Sequence, residues 1–205
     1  MTPLILINPH AAGGRARKLK GPIQAWCEAL PAQSERPQLV SPESIQDALM
    51  SISALPPRTR VVVVGGDGTL NQMLPALLKG DHEVGLVPCG SGNDCARAWG
   101  LNSISWQQAL AHALYATSSA IDLGRIELNK KAIYYFHSSL AVGFDASVGH
   151  RALTGPKFLS GLPRYLLATF RELTNLKNWP LKVEVDGLLT HEGATLLASF
   201  FNTPT

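Results

Sequence analysis

The sequence predicts an α/β protein: a parallel-sheet, nucleotide-binding domain over residues 1–120, then a mostly β second unit over residues 121–205. Three observations lead there. Short apolar runs alternate with helical stripes in the order β-α-β-α-β-α-β-α as far as Tyr115, which is how a parallel sheet with helices on both faces is written. One run, Arg60–Val64, contains four consecutive valines, as expected for a strand covered on both sides. After Ser118 most runs read as strands, which puts a boundary near residues 118–124.

The elements follow in order. Leu4–Ile7 is an apolar strand that stops at Asn8-Pro9, where proline cannot donate to a ladder. Gly13-Gly14 makes a turn, and Leu19, Ile23, Trp26, Cys27 and Leu30 recur at helical spacing. Gln38–Val40 is a second strand. Ser41-Pro42 supplies a cap and a first-turn proline for the helix carrying Ile45, Leu49 and Ile52. The valine strand leads through the turn Gly65–Gly68 to a stripe of Leu70, Met73, Leu74, Leu77 and Leu78. Glu83–Val87 is the fourth strand, followed by a glycine loop to Gly92, a short helix from Asn93 to Trp99 and a helix from Ile104 to Tyr115. Beyond the boundary, strands are expected at Ile121–Leu128, Ala132–Val142, Leu181–Val185 and Thr195–Phe201. Asn129-Lys130 reads as a hairpin tip, Asp186-Gly187-Leu188 as a hairpin turn, and Leu162, Leu166, Phe170 and Leu173 as a helix stripe. So few strands are thin for a sandwich standing alone, and an open edge at Thr195–Phe201 favours self-association, a homo-oligomer.

Composition narrows the function classes. With 45% hydrophobic and 16% charged residues the chain is not disordered. A net charge of +3 is too mild to expect a nucleic-acid partner. Cys27, Cys89 and Cys95 are odd in number and form no CxxC pair, which argues against a disulfide framework or structural zinc and for reduced, cytoplasmic thiols. Met1–Pro9 lacks the basic region of a secretory signal. No apolar run approaches the roughly 18 residues of a membrane span, so membrane contact is expected to be peripheral.

The chemistry concentrates in loops. Gly65-Gly66-Asp67-Gly68-Thr69-Leu70-Asn71 follows the valine strand and opens a helix. Its glycines are expected to take positive φ and admit a phosphate, its free N–H groups to bind an anion, and Thr69 to cap the helix. Asp67 carries the one charge unsuited to a phosphate, which points to Mg²⁺ or a proton. Cys89-Gly90-Ser91-Gly92-Asn93-Asp94 repeats the layout one β-α unit later, and Asn8-Pro9 with Gly13-Gly14 forms a third such loop. Adjacent parallel strands would gather these loops at one carboxyl edge, where open α/β sheets bind ligands. Neither GxxxxGK[ST] nor GxGxxG is present, which argues against a Walker NTPase and a dinucleotide dehydrogenase. Arg15, Arg17, Lys18 and Lys20 flank the first loop. Lys157, Arg164 and Arg171 flank Phe158, Leu162, Tyr165, Leu166 and Phe170. Each basic group reads as a solvated helix face or as a contact for phosphate or membrane. The six histidines are scattered without metal-ligand spacing.

In combination, Asn8-Pro9-x3-Gly13-Gly14, Gly65–Asn71 and Gly85-Leu86-Val87-Pro88-x-Gly90-Ser91-Gly92-Asn93-Asp94-x-Ala96-Arg97 resemble the diacylglycerol kinase catalytic domain, whose superfamily includes sphingosine, ceramide and bacterial lipid kinases. Asp122-Leu123-Gly124 and Val142-Gly143-Phe144-Asp145-Ala146 fit its later landmarks. The first glycine element also fits NAD kinase; the second points to lipid kinases, with Ser91 where threonine is commoner. The resemblance implies a nucleotide-binding domain followed by a β-sandwich, and ATP-dependent phosphorylation of a hydroxyl of diacylglycerol or a related lipid at the inner membrane face. ATP and Mg²⁺ would be its cofactors. By the same resemblance, Gly65, Gly66, Asp67, Gly68, Thr69, Leu70 and Asn71 line the ATP phosphates, Asn8 and Ser91 border the nucleotide, and Ser41 lies near it. Asp67 and Asp94 organise Mg²⁺ and water, with Asp67 catalytic, so that Asp67→Ala is expected to abolish transfer and spare the fold. Family members continue past the position of Asn202 with segments carrying a structural metal site and the proposed catalytic Glu. The chain is therefore expected to be C-terminally truncated, with its general base in the missing segment and no turnover of its own. The competing expectations are a non-catalytic nucleotide-binding or regulatory module, and NAD kinase.

Overall fold

A computed structural model describes residues 1–31, 35–90, 92–128, 132–156 and 162–203. Ser91, the hairpin tip Asn129-Lys130, Lys157 and Phe158 lie outside the described residues.

Strands β1 (Leu4–Ile7), β2 (Gln38–Val40), β3 (Arg60–Gly65) and β4 (Glu83–Pro88) pair in the order β2-β1-β3-β4, all parallel. Leu4 pairs with both Gln38 and Val61, and Gly65 pairs with Pro88, so the four carboxyl ends lie along one edge. Strand residues alternate between two cores. Leu4, Leu6, Val61, Val63 and Leu86 face α3 (Ile45–Ser53) and α4 (Asp67–Lys79) through Ala48, Ile52, Leu70, Met73 and Leu77. Ile5, Ile7, Val62, Val64 and Val87 face the single turn α1 (Ala11–Gly14), α2 (Lys20–Glu28) and α6 (Trp106–Tyr115) through Ala11, Ile23, Cys27, Ala109, Leu110 and Ala113. The placement follows from handedness. Right-handed crossovers put α2, on the leftward step from β1 to β2, on the face opposite α3 and α4, which serve the two rightward steps. Gly85 lets α6 approach closely, since a Cβ there would stand 2.6 Å from the Cβ of Ala113.

Several local expectations are corrected. Helix α3 starts at Ile45, and its cap is Ser44, not Ser41: Ser44 Oγ accepts from Asp47 N at 3.1 Å and donates to the Asp47 carboxylate. A serine three residues before an acid closes both ends of that exchange, which Ser41-Pro42 cannot do. Helix α6 starts after a capping box between Ser105 and Gln108. Helix α4 starts at Asp67 with extended Gly66 as its cap residue, so Thr69 lies inside the first turn and does not cap.

Beyond α6 the strands are antiparallel. A hairpin joins β5 (Gly124–Leu128) to β6 (Ala132–Phe136). The single strand expected over Ala132–Val142 breaks at the buried pair His137-Ser138, and β7 (Ser139–Gly143) pairs instead with β10 (Leu197–Phe201). Helices α7 (Phe144–Thr154) and α8 (Leu162–Leu173) follow, then a hairpin of β8 (Trp179–Val185) and β9 (Leu188–Thr195). Asp186 and Gly187 make its turn with φ of 52° and 80°, the paired positive values a tight hairpin requires. Contacts divide the chain into Met1–Ser138 with Asn202–Thr205, and Ser139–Phe201. The segment 121–138, which the sequence reading assigns to the second unit, is grouped here with the parallel sheet because β6 packs on α4. No helix among the described residues is long and apolar enough to cross a membrane.

Candidate functional site

The chain steps from β1 outward to β2, then returns to place β3 on the other side of β1. That reversal leaves a crevice at the carboxyl ends of β1 and β3, the usual ligand position in an open α/β sheet. Asn8 follows β1 there. Its backbone N–H donates to Val64 O at 3.1 Å, its Nδ2 donates to Thr69 Oγ1 at 2.8 Å, and its Oδ1 accepts from His10 N at 3.0 Å. Thr69 is buried and fills the space above Gly65, where a Cβ would meet its side chain at 2.8 Å.

The glycines divide into two kinds. Gly66 and Gly90 pack backbone on backbone: a Cβ on Gly66 would stand 2.8 Å from the Gly90 Cα, and one on Gly90 would stand 2.7 Å from the Gly66 Cα. Neither has positive φ, so the expectation of left-handed glycines in Gly65–Gly68 is corrected: among the described residues of these loops only Asn93, at φ 60°, is left-handed. Close approach of the two loops, not backbone freedom, is what excludes a side chain. Gly68 is different, with open space where its Cβ would be. In the first loop Gly13 and Gly14 do take positive φ, 65° and 92°. Asn93 Nδ2 donates to Gly90 O at 3.3 Å, while its buried Oδ1 has no partner among the described residues.

Asp67 is placed at the junction of both loops. Its Oδ2 accepts from Asp94 N at 2.9 Å and its Oδ1 from Cys95 N at 3.1 Å, which caps the short helix α5 (Asp94–Ala98). A cap of this kind contributes about 0.5–2 kcal/mol, so Asp67→Ala removes two hydrogen bonds from the start of α5 as well as a carboxylate from the site. Asp94 turns its own carboxylate to Arg97, with Oδ1 accepting from Nη1 at 2.8 Å. These groups fit a Mg²⁺ ion without forming a cage. No cluster of three ligating side chains occurs among the described residues. Each Asp67 oxygen retains a lone pair, and Mg²⁺ ordinarily takes one or two carboxylates together with phosphate and water.

The remaining predicted residues divide. Leu70 turns into the core at 2% exposure, so its side chain cannot line a phosphate. Asn71 is exposed on α4, and Ser41 is half-buried just past the carboxyl end of β2. Arg15 Nε donates to Ala12 O at 3.3 Å, and its charge reaches the Cys89 thiol, opposing part of the rise that burial causes there. Arg17 pairs with Glu43 at 3.5 Å.

Sequence reasoning missed two residues. His137, 2% exposed, presents Nε2 to Asp67 O at 3.1 Å and Nδ1 to Cys95 Sγ at 2.7 Å. A carbonyl only accepts, so Nε2 carries the hydrogen and Nδ1 accepts from the thiol. Burial, with the charges of Asp67 and Asp94 beside it, pushes the Cys95 thiol up to about 12. The available signal was a lone histidine ending the apolar run Ala132–Phe136.

Residues 2–126 match the profile of the diacylglycerol kinase catalytic domain, a stretch that includes every loop described above. A diacylglycerol kinase of Mycobacterium tuberculosis (strain ATCC 25618 / H37Rv) is 34% identical over 143 residues, covering 70% of this chain and 46% of that protein. A diacylglycerol kinase of Bacillus subtilis (strain 168) is 26% identical over 131 residues, covering 63% of this chain and 42% of that protein. The crystal structure of a diacylglycerol kinase from Bacillus anthracis str. Sterne superposes with a TM-score of 0.66 at 21% identity, over 98% of this chain and 64% of that one, a likeness of fold. The chain spans about half the length of the curated relatives it matches. The match over residues 2–126 takes in more than half of the sequence, and the chain belongs to the diacylglycerol kinase catalytic domain family.

Proposed function

We propose that the protein is an ATP-dependent lipid kinase, transferring the γ-phosphate of ATP to a hydroxyl of diacylglycerol or a related lipid. The observation that carries this reading is the gathering of Asn8, the Gly65–Asn71 loop, Cys89-Gly90 and Gly92–Asp94 at one sheet edge, in a segment that matches a kinase family. Phosphoryl transfer asks a protein chiefly for positioning and charge neutralisation. The first N–H groups of α4 supply an anion site at the helix N-terminus. The open side of Gly68 leaves room for a phosphate, and Arg15 adds positive charge. Asp67 and Asp94 would hold Mg²⁺, which when bound offsets phosphate charge. Asp67 also fixes the start of α5 with both oxygens, so its first task in this reading is to hold the two loops in register. Docking at a membrane surface, where the lipid resides, belongs to the same proposal.

The test is transfer of label from γ-³²P-ATP by the product of the complete gene to diacylglycerol, sphingosine, ceramide, phosphatidylglycerol and NAD, alongside calorimetry of Mg-ATP binding. Label on a lipid, with ATP binding, is the expected result. Label on NAD alone overturns the lipid acceptor, and absence of ATP binding overturns the whole reading. Asp67→Ala is expected to lose transfer and about 0.5–2 kcal/mol of stability together.

A further inference from the structure

We infer that His137 and Cys95 form a buried brace that sets the position of the two glycine loops, with His137 the positioning residue. The hydrogen bonds close into a ring. The Asp67 carboxylate accepts from Asp94 N and Cys95 N, the Cys95 thiol donates to His137 Nδ1, and His137 Nε2 donates back to Asp67 O. The ring joins the start of α4, the start of α5 and the end of β6, three elements far apart in the chain. His137 is itself anchored, because Asn202 Nδ2 donates to its carbonyl at 3.1 Å. His137 and Cys95 are 2% and 0% exposed, so a hydrogen bond lost from the ring leaves a buried polar group behind. Neither touches the open side of the loops; they act through Asp67 and the α5 amides. His137 stands just past the end of β6, where the extended run is interrupted before β7.

For nucleotide affinity the inference rests on the ATP-binding reading above; for loop order it stands without it. The test compares wild type, His137→Leu and His137→Gln. Leucine fills the site but makes neither bond, whereas glutamine places an N–H where Nε2 stands. A side chain that merely fills space would favour leucine over glutamine. The brace demands the reverse order. His137→Leu is expected to weaken Mg-ATP binding about tenfold and His137→Gln by no more than about threefold, the range of one buried hydrogen bond. Hydrogen exchange at the Asp94 and Cys95 amides should rise in the same order. ATP binding by His137→Leu equal to wild type, or no better binding by His137→Gln than by His137→Leu, overturns the inference. If wild type itself binds no ATP, the functional reading fails and amide exchange decides alone: unchanged exchange in His137→Leu overturns the brace, and faster exchange restored by His137→Gln upholds it.

Discussion

Asn8 Nδ2 donates to Thr69 Oγ1 at 2.8 Å, which ties the loop after β1 to the first turn of α4 across the crevice where the sheet reverses direction. Both partners are at least half-buried, so each depends on the other for satisfaction. Asn8→Ala and Thr69→Val are each expected to lower the unfolding free energy by about 1 kcal/mol. The double variant should lose less than the sum, with a coupling of about 0.5–1.5 kcal/mol from a double-mutant cycle in urea. Strict additivity would mean that the bond does not operate in solution.

The glycines separate packing from ligand access. Gly66→Ala and Gly90→Ala would push one backbone against another, and each is expected to cost about 1–3 kcal/mol by thermal or urea unfolding. Gly68→Ala meets nothing and sits in the first turn of a helix, so stability should change by no more than about 0.5 kcal/mol. The added methyl instead occupies the space assigned to a phosphate, so ATP affinity should fall. A Gly68→Ala variant that keeps both stability and ATP affinity would remove that loop face from the site.

Cys95 gives a pH dependence with a definite sign. In the folded chain its thiol is raised from the ordinary 9.0 to about 12, so the native state keeps a proton that the unfolded chain gives up. Its contribution is complete below pH 9.0 and is lost as pH rises towards about 12. The stability difference between wild type and Cys95→Ser should therefore shift against wild type by about 1–2 kcal/mol between pH 8 and pH 10.5. A difference constant across that range would show that the thiol titrates normally.

The sheet was legible because its strands are apolar on both faces and its helices carry a single stripe. Leu4–Ile7, Gln38–Val40 and the valine strand stand where the pattern puts them. The loops were legible as glycine clusters, but the reason for the glycines was not. Gly66 and Gly90 lie in different loops, and only the pairing of β3 with β4 brings their Cα atoms together. The capping role of Asp67 was hidden likewise, because its partners are amides 27 and 28 residues away. Strand β9 escaped notice because Leu188–Thr195 is exposed along nearly all its length and carries no periodic signal. Helix α7 escaped because Phe144–Thr154 buries only Val148. At the break His137 bonds to Asp67, Cys95 and Asn202, residues remote in sequence that no local pattern could point to.

In the proposed kinase the carboxyl edge of the parallel sheet holds the ATP phosphates. Amide chemical shifts of the isotope-labelled chain, titrated with Mg-ATP, locate that contact residue by residue. The largest shifts are expected on Gly13, Gly14, Gly66, Asp67, Gly68 and Asp94, with Asn8 following through Thr69. Amides at the opposite end of the sheet, such as Thr59 and Leu4, should stay still. Saturable binding with its shifts at that opposite end, or no shifts at the glycine loops at saturating Mg-ATP, would contradict it.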